Sequence, residues 1–584
     1  MWSRDRILVL ATLGLLIVPV LVDLALGGQR RVFGYLAIDF FYYETIARNY
    51  LEVGFPTFDQ EYPTNGFHPV WQYTLIAFAW LCAAFGVSKL SFFTGALLLS
   101  LGLVAAALVL FARTFRVAEG RVPLLLPWAV PGVFALLTSP IYQPSHDFGR
   151  LRVAGGERAV VGTLWRYVNG METGLVLVTF FASTLLMVQL IREGSTRNRV
   201  LGCGAMLGLL ALSRLDHAIF SLSLPLALVL GRFRDKAAWQ VVVQLWAVVF
   251  AFLVAYVVFN VINHGAAVPV SGSVKSTFPR FTADNWRDLS LLLRGKQSVW
   301  VHDAWRLSQE LLPVVLAGAY FWFTVALRPN LGFRDGVNAL DKVLLAAVPG
   351  LLAIAVYNFG FVRSDFQGHW YFPVSVVLCS AFALRLAGRF GVDEWLTSTR
   401  RRTGVASIAS ALAVLAFFRW GHYRPNFNDD IVEFYVEEGP RLRAFYDEPP
   451  KVLEFYDAVF ASATEFPTMN GYGLVVDAEA SKARKESLDA VFRLAMSRGF
   501  DRIVSFNLDG SRLSEDPGRK ELLGVLRRYV SEDALAPYRV ILEYRSESGR
   551  HLVFRVAKKR SRRRKRGRRA GKGNPKRFQS TPPG

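Results

Sequence analysis

MWSRDRILVLATLGLLIVPVLVDLAL, residues 1–26, places two arginines before an apolar run that is long enough to cross a bilayer. The run is longer than the hydrophobic part of a typical signal peptide and has no A-x-A cleavage site, so it predicts a span that is not cleaved. Apolar runs of similar length recur as far as residue 418, each ended by a basic or Gly/Pro-rich loop. The pattern predicts an α-helical polytopic membrane protein.

The composition of the chain agrees with this fold class. Of its 584 residues, 52% are hydrophobic and only 20% are charged, whereas soluble proteins carry about 25% charged residues. More than half of the net charge of +22 comes from residues 558–577, KKRSRRRKRGRRAGKGNPKR. Because most other positive residues lie in short loops, we expect no nucleic-acid partner. The three cysteines, Cys82, Cys203 and Cys379, stand in apolar segments and predict neither a disulfide framework nor a metal site.

Short loops rich in Lys and Arg mark the cytoplasmic side of a membrane protein. Such loops occur at 1–6, 113–121, 192–199, 232–236, 328–342 and 385–402. About eleven spans satisfy them with the N-terminus inside; the predicted spans are 7–26, 90–112, 123–140, 173–191, 200–213, 217–231, 238–261, 312–327, 343–360, 371–388 and 403–418. We therefore expect an integral protein of the plasma or inner membrane.

The apolar stretch 68–87, HPVWQYTLIAFAWLCAAFGV, does not fit this alternation. Counted as a span, it would move the basic loop at 113–121 outside the cytoplasm. Pro69 and the aromatic residues near its start are typical of a helix at the level of the lipid head groups. The sequence therefore predicts a juxtamembrane helix here.

The longer polar segments then face away from the cytoplasm, at 27–67, 141–172, 263–311, 362–370 and after 419. They hold most of the unusual polar residues, so we expect an active site on the non-cytoplasmic side. We divide the chain into a transmembrane catalytic domain (1–419), an extracytoplasmic α/β domain (420–557) and a disordered basic tail (558–584) next to membrane lipids.

The first polar loop contains residues 33–71, FGYLAIDFFYYETIARNYLEVGFPTFDQEYPTNGFHPVW. Asp39 and Tyr43 are four residues apart and share a face of the helix that this sequence predicts, whereas Glu44 lies off that face. Asp39 is placed either to accept a proton from a sugar hydroxyl or simply to cap the helix. The residue types alone leave both roles open.

The segments Y-x-x-IARN (43–49), G-F-P-x-F (54–58) and TNGFHP-V-W (64–71) resemble the GT-C class of membrane glycosyltransferases. The resemblance implies a polyprenyl-phosphate sugar donor, a catalytic aspartate in the first outward loop and juxtamembrane helices after it. Asp39 would be this aspartate, and Tyr43 and His68 would line the same site. Many members carry an adjacent acidic pair, whereas here Ile38 and Phe40 flank Asp39, so a divalent metal is left open.

Two further motifs lie beside predicted spans. Residues 167–174, YVNGMETG, resemble the N-G-[ML]-E-[TS] signature of these enzymes, which implies a place for Glu172 in the site; the alternative is an acid at a helix N-terminus. Residues 213–217, SRLDH, put Arg214 and Asp216 at membrane depth. They form either an internal ion pair or, through Arg214, a site for a lipid phosphate.

Two outward segments supply further candidates for substrate binding. Lys275 lies between small hydroxyl residues in PVSGSVKSTF (269–278), a setting that suits a phosphate oxygen. The resemblance implies the same role, although a loop lysine is commonly just solvated. His369 and Tyr371, in RSDFQGHWYFP (363–373), would hydrogen-bond sugar or phosphate, or would belong to an interfacial aromatic belt.

The sequence before the basic tail predicts a small α/β domain. It combines charged helices at 481–498 and 519–530 with strands at 502–506, 538–544 and 551–556. The Gly-rich stretch 466–473, FPTMNGYG, lacks the spacing of a dinucleotide loop or a Walker A motif and predicts no cofactor. We expect it to cap the site or to help bind the acceptor.

Together these features predict a glycosyltransferase that moves a sugar, in one inverting step, from a polyprenyl-phosphate carrier to a hydroxyl of a glycan, lipid or protein acceptor. Asp39 would be the base, Glu172 would orient a substrate, and Lys275 with Arg214 would stabilise the leaving phosphate. A lipid-linked glycan transporter or flippase, and a polymer ligase or polymerase, remain as alternatives. The sequence shows no internal repeat of the kind that many transporters have.

Overall fold

The structure is a computed structural model. It describes residues 4–137, 169–282, 312–323, 337–362, 372–396, 432–455, 458–506, 519–546 and 551–559. The predicted span 403–418, the basic tail from residue 560 onward, His369 and Tyr371 lie outside the described residues.

Residues 4–396 form a helical bundle within the described ranges. Its helices are α1 (Arg4–Gly27), α2 (Phe40–Val53), α3 (Pro69–Ala84), α4 (Lys89–Glu119), α5 (Leu126–Leu137), α6 (Thr173–Glu193), α7 (Arg197–Ser213), α8 (Ala218–Ser223), α9 (Lys236–His264), α10 (Val270–Lys275), α11 (Leu312–Phe323), α12 (Ala339–Phe361), α13 (Pro373–Arg389) and α14 (Val392–Trp395). Short 3₁₀ turns cover Gln29–Gly34, Leu215–His217 and Leu224–Leu228.

Five of the described helices, α1, α4, α6, α9 and α12, are long and apolar enough to cross a membrane. They coincide with five of the predicted spans, and the predicted class of polytopic helical membrane protein is confirmed. The predicted span 217–231 is instead the short helix α8 followed by a 3₁₀ turn. Pro225 lies in that turn, where its missing N–H cannot continue an α-helical ladder.

The predicted juxtamembrane helix is α3, which has 16 residues. Such a helix is about 24 Å long, less than the roughly 30 Å of the hydrocarbon core. Pro69 begins it, a position where the missing N–H costs nothing. That the segment does not cross the bilayer stays a prediction, since α7 and α13, which coincide with predicted spans, have 17 residues each.

Small residues bring α7 close to α9. A Cβ atom added at Gly204 would lie 2.8 Å from Cβ of Val248, and one at Gly208 would lie 2.6 Å from Cγ of Phe252. This is the G-x-x-x-G spacing that allows close backbone approach between membrane helices. The end of α7, which carries Arg214, is thereby fixed against the bundle.

Residues from the predicted cytoplasmic loops gather at one end of the bundle. Arg116 Nε lies 3.7 Å from Asp5 Oδ2, and Asp341 Oδ1 accepts a bond of 2.7 Å from Arg385. Arg389 contacts the other oxygen of Asp341 at 3.3 Å. The site described below lies at the opposite end of α1, α4 and α12.

The C-terminal region (residues 432–559) contains α15 (Gly439–Phe445), β1 (Val452–Glu454), α16 (Val459–Thr464), β2 (Thr468–Asn470), α17 (Ala478–Glu486), α18 (Leu488–Ser497), β3 (Arg502–Phe506), α19 (Arg519–Leu526), α20 (Glu532–Leu535), β4 (Tyr538–Arg545) and β5 (His551–Lys558). The five-stranded sheet has the order β2-β1-β3-β5-β4. β1 pairs in parallel with β2 and β3, and β5 runs antiparallel to β3 and β4. The predicted small α/β fold is confirmed.

The C-terminal region packs on the first loop. The Ser462 hydroxyl donates to Glu44 Oε2 at 2.6 Å, and the Thr64 hydroxyl donates to the carbonyl of Val476 at 2.9 Å. Glu44 is only 2% exposed. This acid, predicted to lie off the Asp39 face, is therefore a buried contact between the two parts of the chain.

Candidate active site

Asp39 stands directly before α2, at the point where the chain turns into the helix. Its side chain makes no capping hydrogen bond, so the capping role is not the one that the geometry supports. The carboxylate is about a quarter exposed, and Oδ2 lies 3.7 Å from Nζ of Lys275, the last residue of α10. A proton acceptor and a cation that could bind phosphate are thus adjacent.

Glu172 is fully buried at the start of α6. Its Oε1 accepts a hydrogen bond of 2.9 Å from Nη1 of Arg214, and Oε2 accepts one of 3.4 Å from the Tyr43 hydroxyl. Nε2 of His68 lies 3.6 Å from the same carboxylate. One acid from the N-G-M-E motif therefore joins α7, α2 and the segment before α3.

The N-G-M-E motif itself is fixed against the first loop. The Trp71 indole N–H donates to the carbonyl of Gly170 at 3.0 Å, and the N–H of Ala37 donates to that of Asn169 at 2.9 Å. Gly170 has φ +78°, and a Cβ there would lie 2.5 Å from the Phe40 ring. Only glycine adopts this positive φ and leaves room for the Phe40 ring without strain. The close packing of Gly170 against the first loop holds the neighbouring Glu172 in place.

Arg214 is shared between two carboxylates. In addition to Glu172, it donates from Nε to both oxygens of Asp216, at 2.9 and 3.0 Å. His217 Nδ1 lies 2.9 Å from Asp216 Oδ1. The predicted ion pair is present, and it includes Glu172 as well.

His68 contributes a neutral imidazole. Burial lowers the pKa of His68, and the nearby Glu172 carboxylate opposes the shift without cancelling it. Its Nδ1 is buried and makes no hydrogen bond to the described residues. A neutral imidazole adds no charge to the cavity that it lines.

These residues surround one cavity. It has a volume of about 820 Å³, a size that suits a small ligand. His68, Arg214, Asp216 and Lys275 line it, and Asp39 and Glu172 contact these lining residues directly. Its wall also includes Tyr357 of α12 together with Arg484 and Lys485 of α17.

An apolar groove of about 630 Å³ lies beside the cavity. Phe67 and Pro69, the chain neighbours of His68, line it together with Tyr73, Phe252 and other apolar residues of α7 and α9. The groove and the cavity thus share this short segment as a wall. The ring of Phe67 packs edge-on against Tyr73 at 6.3 Å between centroids.

The structure brings together seven of the nine predicted site residues: Asp39, Tyr43, His68, Glu172, Arg214, Asp216 and Lys275. His369 and Tyr371 lie outside the described residues. Sequence reasoning missed Arg484 and Lys485, since a basic pair on a charged helix gives no sign of the cavity it lines. Among the described residues no group of three His, Cys, Asp or Glu could hold a metal ion.

Neither the models of known protein families nor the curated protein sequences match this chain. Solved structures do resemble it. The Archaeoglobus fulgidus oligosaccharyltransferase in complex with Zn and sulfate is 15% identical, with 95% of this chain and 73% of that chain covered and a TM-score of 0.49. ArnT from Cupriavidus metallidurans bound to undecaprenyl phosphate is 14% identical, with 92% and 97% covered and a TM-score of 0.42. With identities of 15% or less and TM-scores below 0.5, the resemblance of the loop motifs to the GT-C class stays a prediction.

Proposed function

We propose that the protein is a membrane glycosyltransferase that moves a sugar from a polyprenyl-phosphate carrier to a hydroxyl of a glycan, lipid or protein acceptor. The observation that carries the proposal is the pair formed by Asp39 and Lys275, 3.7 Å apart beside the cavity. A carboxylate next to an ammonium group provides a base and a phosphate ligand that one bound substrate could contact at the same time.

The reaction is a single displacement. The acceptor oxygen attacks the anomeric carbon of the sugar, and the bond from that carbon to the phosphate oxygen breaks. Asp39 takes the acceptor proton, and the phosphate leaves with the bonding electrons. Lys275 stabilises the negative charge that develops on the departing phosphate. Attack from the side opposite to the phosphate inverts the configuration of the sugar.

Glu172 acts as a positioning residue in this scheme. It is fully buried, whereas the cavity wall is formed by Arg214 and His68, which it contacts. A charge-assisted bond at 2.9 Å fixes the guanidinium of Arg214 toward the cavity. Arg214 then interacts with the substrate, and Glu172 and Asp216 set its orientation.

The apolar groove is suited to the polyprenyl chain. It is lined by aromatic and aliphatic residues such as Phe67, Tyr73 and Phe259, and a lipid tail is stabilised by contact with such surfaces. His68, which lies between two groove residues in the chain, lines the cavity. A lipid in the groove would therefore hold its phosphate next to the charged residues.

The positions of the basic loops support a site on the non-cytoplasmic side. Arg116 and Arg385 lie at the end of the bundle away from Asp39, and short basic loops remain in the cytoplasm. The sugar would then be transferred to an acceptor outside the cytoplasm.

The test is direct transfer by the purified full chain. The protein is given a radiolabelled polyprenyl-phosphate sugar together with a membrane and cell-envelope extract as acceptor, and released polyprenyl phosphate and labelled product are measured. We expect one equivalent of lipid phosphate for each sugar transferred. A protein that instead moves intact labelled lipid across reconstituted vesicles, with no sugar released, is a flippase, and that result would contradict the proposal.

A further inference from the structure

The C-terminal region contributes to the cavity through α17. The hydroxyl groups of Ser481 on α17 and Ser273 on α10 are hydrogen-bonded at 3.2 Å, and the two helices pack together. Arg484 and Lys485 follow Ser481 by three and four residues, so they lie on the same face of α17. Both line the cavity.

The membrane part alone is a poor environment for an anion. Among the described residues, the cations that this part places at the cavity are Arg214 and Lys275, and they contact three carboxylates, those of Asp39, Glu172 and Asp216. The balance of charge is therefore negative. A phosphate that approached only these residues would be repelled by more charge than attracts it.

Arg484 and Lys485 reverse this balance. With them, the described residues that line the cavity or contact its lining include four cations against the three carboxylates named above. Arg484 is half-buried and Lys485 is exposed. A guanidinium and an ammonium group together offer both the planar fork and the mobile point charge that bind phosphate oxygens.

The Gly-rich stretch 466–473 helps to place Arg484. Gly473 has φ +76°, and a Cβ atom there would lie 2.8 Å from Cγ and 2.9 Å from Cβ of Arg484. The absence of a side chain at Gly473 therefore leaves room for the stem of Arg484.

We propose that Arg484 and Lys485 form a phosphate subsite, and that the cavity binds the phosphate of a polyprenyl lipid between α10 and α17. The role of this lipid as sugar donor rests on the proposed function, but the subsite itself does not. It makes the C-terminal region a part of the binding site. The phosphate oxygens would be held by Lys275 from one side and by the α17 pair from the other.

The experiment measures the binding of polyprenyl phosphate and of neutral polyprenol to the full chain in lipid nanodiscs at low salt. We expect the wild type to bind the phosphate form at least about tenfold more tightly, since charge-assisted bonds are the strong ones. The double variant R484Q/K485Q keeps polar side chains at both positions and removes both charges. It should lose most of this difference and leave the affinity for polyprenol unchanged.

A matched control is available on the same helix. Lys482 is exposed and does not line the cavity, so K482Q removes a charge from α17 without touching the subsite. It should keep the preference of the wild type to within about twofold, because an exposed charge outside the site contributes little. A double variant that keeps the full preference for the phosphate form, or a K482Q variant that loses as much as the double variant, would overturn the subsite.

Two further measurements distinguish a lipid phosphate from free phosphate as the ligand, and a lost binding site from a misfolded variant. Competition by inorganic phosphate in the wild type that disappears in the double variant would support the same subsite with free phosphate as a ligand. If R484Q/K485Q does not fold, K485E is used instead; Lys485 is exposed, and the reversed charge should abolish the preference.

The failure of this inference differs from that of the proposed function. A wild type that prefers the phosphate form through Arg484 and Lys485 but transfers no sugar refutes the transferase and keeps the subsite. A wild type that transfers sugar, with a double variant whose preference is unchanged, refutes the subsite and keeps the transferase.

Discussion

Glu172→Ala tests whether the buried carboxylate organises the site. The change removes the partner of an Arg214 side chain that is only 3% exposed. It also removes the acceptor of the Tyr43 hydroxyl and the counter-charge near His68. The bond from Arg214 to Asp216 remains, so the arginine keeps one of the two carboxylates that it contacts among the described residues.

The magnitude follows from this arrangement. Removing one partner of a buried ion pair costs about 3–5 kcal/mol, because the other charge stays buried. Since Asp216 still compensates Arg214, we expect the lower end of this range, about 3 kcal/mol, or roughly a hundredfold in the unfolding equilibrium. Glu172→Gln keeps an acceptor for both hydrogen bonds and should cost less.

The assay uses the cysteines of the protein. All three, Cys82, Cys203 and Cys379, are buried, so a thiol-reactive fluorophore reports unfolding of the purified protein in detergent. The fluorescence should rise at a clearly lower temperature in Glu172→Ala than in the wild type, with Glu172→Gln between them. Equal transition temperatures for wild type and Glu172→Ala would refute the account of Glu172 as the residue that holds the site together.

Three other predictions follow from the same geometry. Lys275→Ala should weaken the use of a polyprenyl-phosphate donor about a hundredfold, the effect of losing one charge-assisted contact of about 2–3 kcal/mol. Lys275→Arg should restore part of the activity, and unchanged activity in the alanine variant would show that Lys275 does not bind the phosphate. A reporter inserted at Thr196 should remain in the cytoplasm and one fused after residue 419 should be translocated; cytoplasmic labelling of the second would overturn the topology. Burial raises the pKa of the Asp59 carboxyl group to about 6, so its contribution to folding stability is present below about pH 4 and is lost as the pH rises through 6. Asp59→Asn should make the unfolding temperature less dependent on pH between these values, and an unchanged pH profile would contradict the raised pKa of Asp59.

Much of the fold could be predicted because membrane helices obey a simple rule. The bilayer requires long apolar runs, and basic loops fix their order. These two signals located five helices, including α1 and α12, within a few residues of their observed bounds. They also predicted that Asp39 and Lys275, 236 positions apart in the chain, would lie on the same side.

Short helices and strands could not be predicted from the sequence. β1 and β2 have three residues each, too few for an alternating pattern to be recognised. The helix predicted over 481–498 is two helices, α17 and α18, separated at Ser487, whose hydroxyl caps α18 by accepting from the N–H of Ala490 at 3.0 Å. A serine inside a charged stretch does not by itself predict a break between two helices.

The largest gap concerns contacts between distant parts of the chain. The sequence predicted only that Glu44 lies off the helix face of Asp39 and Tyr43, whereas its side chain is buried against Ser462 of the C-terminal region. Likewise, nothing local marks Arg484 as a cavity residue. Periodicity shows which face of a helix is buried, but the partner of that face is set by the tertiary fold.

The most direct test of the central claim is Asp39→Asn in a paired measurement of transfer and binding. The asparagine keeps the size of the side chain and removes the base. We expect sugar transfer to fall by about 10²–10⁴. The affinity for polyprenyl phosphate should be kept or should increase, because the proposed phosphate ligands are other residues and the change removes a carboxylate charge beside Lys275. Asp447→Asn, at an exposed acid of the C-terminal region, should leave both quantities unchanged. Full turnover by Asp39→Asn would show that Asp39 is not the base and would contradict the account.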